Sequence, residues 1–267
     1  MLSHTEELLK LMSRLRHPEH GCPWDVKQDF NTLIPYVIEE AYEVVDAIER
    51  NDPDDLRAEL GDLLLQVVFH SQIAEERGLF NFEAVSAGIC EKLIRRHPHV
   101  FSDTVFANDK ERQEAWEQAK DLERLEKQNT PAKNASVLSG VAGALPALLE
   151  CEKIQDRAAR HGFDWPTVEP VFEKVLEELN EVKEAWASGD PAHIKEEIGD
   201  LLLVVVNLAR HLNINSELAL KDSTRKFTRR FQYIEQQVGE SGRELLDCEL
   251  EELDAFWNEA KVILKSR

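Results

Sequence analysis

The chain contains one segment twice, and this duplication constrains the fold more than any other feature. Residues 38–70, IEEAYEVVDAIERNDPDDLRAELGDLLLQVVFH, align without a gap on residues 176–208, LEELNEVKEAWASGDPAHIKEEIGDLLLVVVNL, with 15 of 33 positions identical. The likeness extends outward in the same order. HGCPW (His20 to Trp24) precedes the first copy and HGFDW (His161 to Trp165) the second. KLIRR (Lys92 to Arg96) and KFTRR (Lys226 to Arg230) follow, and WEQAK (Trp116 to Lys120) and WNEAK (Trp257 to Lys261) close the two copies. Repetition on this scale means one unit folded twice. We therefore expect a first unit over residues 1–128, a linker over 129–140, where NTPAKNASVLSG lacks apolar periodicity, and a second unit over 141–267.

Each unit reads as helical. Asp52-Pro53 and Asp190-Pro191 each set an N-cap side chain before a proline suited to the first helical turn. The segments on either side are then two antiparallel helices joined by a short turn. Further helices are predicted over 82–97 and 216–238, and closing ones over 109–128 and 246–264. The first residues, MLSHTEELLKLMSRL, read as an amphipathic helix rather than a leader. No alternation at period two is long enough for a sheet. With only 11 Gly, 10 Pro and 19 aromatic residues in 267, a sandwich or barrel is disfavoured. The fold class is all-α, with tandem helical bundles.

A net charge of −20 repels a phosphate backbone, so neither nucleic acid nor an anionic membrane is expected as a partner. The apolar run Leu201 to Val206 is far too short to span a bilayer. Cys22, Cys90, Cys151 and Cys248 are widely spaced and form no C-x-x-C pair. They read as reduced thiols of a cytoplasmic protein.

The acidic residues carry the functional signal. Glu178 and Glu181 lie three apart on the first helix of the second hairpin, and Glu197 and Asp200 share that spacing on the second helix. The turn falls nine residues after Glu181 and seven before Glu197, so the pairs can face each other. Glu40, Glu43, Glu59 and Asp62 repeat the arrangement in the first unit. Converging carboxylates repel one another unless a cation compensates. An all-oxygen donor set suits Mg2+ or Mn2+ and not zinc.

A solvated helix face is the plainer reading of a single EExxE. Two features weigh against it: the set occurs twice, and ELGDLLL and EIGDLLL place the acidic pair directly beside an apolar run. The stripe Leu176, Leu179, Val182 and Trp186 leaves the Glu178/Glu181 side to solvent or to a site. Gly61 and Gly199, inside helices at a cost of about 1 kcal/mol relative to alanine, suggest close approach of a backbone or ligand. Glu-x-x-His pairs, HExxH, EF-hand and P-loop patterns are missing from the sequence. His97 and His99 read as a turn around Pro98, and His20 and His161 as helix caps.

EExxE followed sixteen residues later by ExxD resembles the signature of the MazG-like, all-α nucleoside-triphosphate pyrophosphohydrolases. HGCPWD, EEAYEV, ELGDLL, KLIRRHPHVF, GFDW, EEIGDLLLVVVNLARHL and KFTRRF extend the likeness to the two-domain members over nearly the full length. The resemblance implies a homodimeric, Mg2+-dependent enzyme that cleaves nucleoside triphosphates between the α and β phosphates and clears unwanted nucleotides from the pool. A regulatory protein partner is compatible with it.

Under the resemblance Glu178, Glu181, Glu197 and Asp200 hold metal ions, and Glu177 orients or deprotonates the attacking water. Lys174, Lys195, Lys226, Arg229 and Arg230 contact phosphates, and Glu196 joins the substrate-contacting set. Trp257 stacks on a base and Lys261 adds charge. Lys174 precedes Glu178 where Tyr36 precedes Glu40, and Arg95-Arg96 run into the helix-breaking Pro98. The second unit is therefore expected to be catalytic and the first structural or regulatory. Two other readings stand beside this one: a helical module that senses nucleotides or docks a partner without catalysis, and an enzyme confined to dUTP or dCTP.

Overall fold

The computed structural model describes residues 3–127 and 136–264. Residues 129–135 of the expected linker lie outside them. The chain divides into two compact units, residues 1–123 and 124–267. The described residues form twelve α-helices and one 3-10 turn, with no strand among them.

In the first unit, α1 (His4–Leu15) is opened by a capping box between Ser3 and Glu6. After the short α2 (Pro23–Lys27), α3 (Ile34–Glu49) and α4 (Pro53–Glu76) form the hairpin. Asp52 caps α4, accepting from the amides of Asp54 and Asp55 at 3.2 and 3.0 Å. α5 (Phe82–Arg96) stops where Pro98 begins the short α6 (Pro98–Phe101), and α7 (Asp109–Lys127) follows. Met12, Leu33, Val68, Phe69 and Ile73 form the core, where α1 and α4 meet.

Buried Arg16 locks the end of α1. Its guanidinium makes an ion pair with Glu76 at 2.7 Å, donates to the carbonyls of Asp25 and Gln28, and lies over the Phe69 ring. A buried charge this fully partnered fixes geometry, because losing either partner strands the other. Gly21 follows in a turn so tight that its own amide donates to the His17 carbonyl at 2.8 Å and the Cys22 amide to the Leu15 carbonyl at 2.7 Å.

The second unit repeats the plan with α8 (Ala147–Arg160), α9 (Glu169–Ser188), α10 (Pro191–His211), α11 (Ser216–Glu240) and α12 (Leu250–Ile263). Arg157, in the last turn of α8, stands where Arg16 caps α1, donating to the carbonyls of Leu138, Ser139 and Gly140. Gly189 closes α9 in the left-handed region at φ 70°, and the Asp190 side chain opens α10 by accepting from the Ala192 amide at 2.9 Å. α9 packs along α10, and α11 along α12.

The faces of α9 differ from the simplest reading of its sequence. Its buried line is Val171, Glu178 and Ala185, in steps of seven. The stripe faces outward, with Leu176 56% and Trp186 74% exposed. The acidic face is thus turned inward toward α10 and the apolar face away. No backbone makes the close approach considered at Gly61 and Gly199: a Cβ at either position would meet nothing within 4 Å among the described residues.

These two kinds of glycine give opposite predictions. At Gly21 a Cβ would collide with the Leu15 carbonyl and lie 2.6 Å from the His17 oxygen. Gly21→Ala should cost about 2–4 kcal/mol in urea unfolding. Gly61→Ala should instead raise stability by about 0.5–1 kcal/mol, through the lower helix cost of alanine. A loss of stability in Gly61→Ala would show that something does pack there.

Candidate metal and nucleotide site

The α9–α10 hairpin brings three of the four singled-out carboxylates together. Glu178, Glu197 and Asp200 each offer an oxygen, all within 4.8 Å of one another. Glu178 is the buried member, 6% exposed, and Asp200 lies at the open side. The capped turn between the helices sets the register that lets residues of both reach one point. Glu181 falls outside the closest triple yet feels it. Burial and the neighbouring Glu178 charge push its carboxyl above the usual glutamate range, with Glu197 adding to the push and Lys174 opposing it.

A lysine and a histidine stand beside the acids of the second unit. Lys174 Nζ lies 2.7 Å from Glu178 Oε1 and 2.8 Å from Glu177 Oε1. Those hydrogen bonds hold its ammonium protonated well above the usual lysine range. His193 Nε2 lies 3.1 Å from Glu197 Oε1. Glu177 is exposed beside Lys174, at the mouth of the cluster.

The first unit gathers Glu40, Glu43 and Glu59 within the same 4.8 Å limit. Here Asp62 is the outlying member. Burial, then Asp62 and Glu43, push the Glu40 carboxyl up; burial, then Glu43 and Asp55, do the same to Glu59. Tyr36 stands where the second unit has Lys174 and packs against the core. Asp55 stands where the second unit has His193, and it is occupied by Arg50, which also pairs with Asp46 and Asp52. The two clusters thus share a carboxylate frame but not its counter-charges.

The other singled-out residues fall into a second group. On α11, Lys226 and Arg229 are exposed, and no ion pair to them occurs among the described residues. Arg230 lies over the Trp257 ring at 5.3 Å, and Phe227 packs on the same indole with centroids 5.1 Å apart. Lys261 Nζ donates to Asn258 Oδ1 at 2.8 Å. Lys195 and Glu196 point into solvent on α10. The Trp257 ring therefore already carries a cation and an aromatic neighbour.

Sequence reasoning missed a different tryptophan. A cleft of about 420 Å3 adjoins the acidic cluster, lined by Trp165, Glu169, Pro170, Glu173, Lys174 and Glu177. Trp165 closes the HGFDW segment, whose repetition was visible but suggested no role. The preceding Asp164 anchors it by accepting from Arg210 and His211, at 2.5 and 2.9 Å.

Comparison with known proteins identifies the family. The MazG nucleotide pyrophosphohydrolase domain matches residues 28–101 and 167–234, once over each hairpin and the helix that follows it. The chain belongs to the MazG family. It is 48% identical to the nucleoside triphosphate pyrophosphohydrolase of Escherichia coli K12, over 97% of this chain and 98% of that one. It is 46% identical to the nucleoside triphosphate pyrophosphohydrolase/pyrophosphatase MazG of Thermotoga maritima, over 96% and 95%. A nucleoside triphosphate pyrophosphohydrolase of Mycobacterium tuberculosis is 37% identical over 59% of this chain and 45% of its own. The MazG hairpin is thus present twice, and each copy carries an acidic cluster.

The electrostatics can be tested without a substrate. In the metal-free protein, the Glu181 carboxyl should titrate above the usual value of about 4.3. Lys174→Met should move it further up, because the ammonium favours the charged form. Side-chain carboxyl 13C shifts followed against pH would report both midpoints. A downward movement in Lys174→Met would contradict the arrangement described.

Proposed function

We propose that this chain is a Mg2+-dependent nucleoside triphosphate pyrophosphohydrolase that cleaves NTPs and dNTPs to the monophosphate and pyrophosphate. It would serve to clear unwanted nucleotides from the cytoplasmic pool. The observation that carries the reading is buried Glu178 facing Glu197 and Asp200 across the hairpin. Burying like charges is costly, and a divalent cation is the simplest remedy. The donors are all carboxylate oxygens, which fits Mg2+ and also admits Mn2+. Glu178, Glu181, Glu197 and Asp200 would hold it. When bound, such an ion supplies positive charge to phosphate oxygens and acidity to a water.

The chain's own groups supply the rest. Glu177, exposed at the mouth of the cluster, is placed to orient a water and take its proton. Lys174 has two roles in sequence. It balances Glu178 at 2.7 Å, and it would be available to a phosphate if a divalent ion were held by Glu178. Lys226, Arg229 and Arg230, with Lys195 and Lys261, would offset charge on the departing pyrophosphate. The glutamate-lined cleft repels phosphates, so Trp165 is better suited than the already covered Trp257 to stack on a base. Lys174 and His193 beside the acids of the second unit, against Tyr36 and Asp55 in the first, favour the second as the catalytic copy.

We also propose that the enzyme is a homodimer. Leu176, Leu179 and Trp186 on α9 and Ile198, Leu202 and Val205 on α10 expose a broad apolar surface, of a kind that soluble proteins cover by association. Among the described residues no helix is long and apolar enough to cross a membrane.

Two measurements test these readings. Glu181→Gln should reduce pyrophosphate release from a nucleoside triphosphate with Mg2+ by about 100-fold or more, with an unchanged helical circular-dichroism spectrum. Glu43→Gln should leave most of the activity, and a matching loss there would make the first unit catalytic. Release of orthophosphate by the wild type would refute the proposed bond cleavage. For assembly, sedimentation of the wild type should give a dimer and the double variant Leu176→Glu/Leu179→Glu a monomer. A wild-type monomer, or a variant that still pairs, would remove this surface from the interface.

A further inference from the structure

The first unit contains a cationic pocket that its acidic cluster does not use. Its cavity of about 250 Å3 is lined by Arg96, His97, His99, Arg112, Gln113 and Trp116, at the junction of α5, α6 and α7. It forms because Pro98 breaks the helix after Arg96 and folds the two histidines back: their rings lie 5.9 Å apart, and that of His99 packs on Phe106 at 5.6 Å. The frame is rigid. Glu123 on α7 takes salt bridges from both Arg95 and Arg96, which hold its carboxyl down to about 2. Arg96 also lies 6.0 Å from the Trp116 ring centroid.

The second unit uses the same frame for different chemistry. Arg230 over Trp257 reproduces Arg96 over Trp116. Counting on from the shared arginine pair, the places of His97 and His99 are taken by Phe231 and Tyr233. Counting back from the shared tryptophan, those of Arg112 and Gln113 are taken by Leu253 and Asp254. The first unit has thus put three basic side chains and an amide where its twin has apolar, phenolic and acidic ones.

Charge balance leaves capacity for an anion. Arg95 and Arg96 share one carboxylate, so that trio carries a net positive charge. Among the described residues Arg112 pairs with Asp109 alone, at 3.1 Å, and that carboxylate is 95% exposed and therefore weakly binding. His97 donates through Nδ1–H to the Leu93 carbonyl, 2.8 Å away, which leaves Nε2 for another partner. His99 Nδ1 is shut off from solvent and has no hydrogen-bond partner among the described residues. A sheltered imidazole nitrogen without a partner is an unmet demand that a ligand can satisfy.

We propose that this pocket binds a small phosphate-bearing anion through a diphosphate group. Two guanidiniums, two imidazoles and an amide match closely spaced phosphate oxygens. The volume lies below the range of pockets that enclose drug-sized ligands, which suits pyrophosphate or the diphosphate end of a nucleotide. The site owes nothing to the acidic clusters and stands independently of the activity proposed for the hairpin.

The test is calorimetric titration of the full-length protein in EDTA, so that no divalent ion can bridge an anion to the carboxylates. Inorganic pyrophosphate should bind at one site per chain. Arg112→Ala, a change at a half-exposed side chain, and His99→Phe, which keeps a ring on Phe106, should each weaken it about tenfold or more. The double variant Lys226→Ala/Arg229→Ala should leave it unchanged. A nucleoside diphosphate that binds tighter at the same residues would support a nucleotide as the source of the group. Equal or weaker binding would support the free anion. No binding up to about 1 mM pyrophosphate, or binding lost with Lys226 and Arg229 but not with Arg112, would overturn the proposal.

Discussion

Like charges held together by a helical hairpin are the constraint on which the rest of this structure depends. α9 and α10 bring Glu178, Glu197 and Asp200 to one point, with Glu178 out of water. The fold must balance that charge in every state of the protein. Lys174 lies on Glu178 and answers its charge, and His193 makes a contact with Glu197. The remaining repulsion is felt at Glu181: burial and the Glu178 charge push its carboxyl above the usual glutamate range. A raised carboxylate pKa also makes protons competitors of a cation, so cation affinity should weaken as pH falls through that value. The inward acidic face and the outward apolar face of α9 are two sides of one choice of helix rotation.

The two units show how little must change for one scaffold to carry two chemistries. Caps, hairpin length and carboxylate frame are held in common. The differences are in the surrounding charges: Tyr36 for Lys174, Asp55 for His193, and Arg112 for Leu253. In the first unit Tyr36 and Asp55 stand beside the acids, while Arg95, Arg96 and Arg112 gather about the far end of α5. Each unit has concentrated positive charge at a different place on the same backbone.

Much of this was readable from the residues, for identifiable reasons. The Asp-Pro pairs announce the hairpin turns because an N-cap and a first-turn proline leave few other conformations. Spacings of three residues place Glu178 with Glu181 and Glu197 with Asp200 by helix geometry alone. Spacing does not state which face of a helix turns toward its neighbour. Leu176 and Trp186 could therefore be recognised as a stripe without being recognised as exposed. Nor does it state where a flexible side chain rests: Lys174 reads as a phosphate ligand, yet here it lies on two glutamates. Trp165 and Trp257 were equally visible, and only packing separates the one beside a cleft from the one already covered. The pocket at Arg112 depends on a helix break and a return, which links residues with no periodic relation.

The Gly189–Asp190–Pro191 connection between α9 and α10 has a consequence beyond joining two helices. An α-helix advances by about 100° per residue. One inserted or deleted residue there would leave both helices intact and able to pack, but would swing Glu197 and Asp200 through more than a quarter turn relative to Glu178. The length of this linkage is therefore under tighter constraint than its composition. Across related chains, indels should be absent from it even where the neighbouring surface residues vary freely.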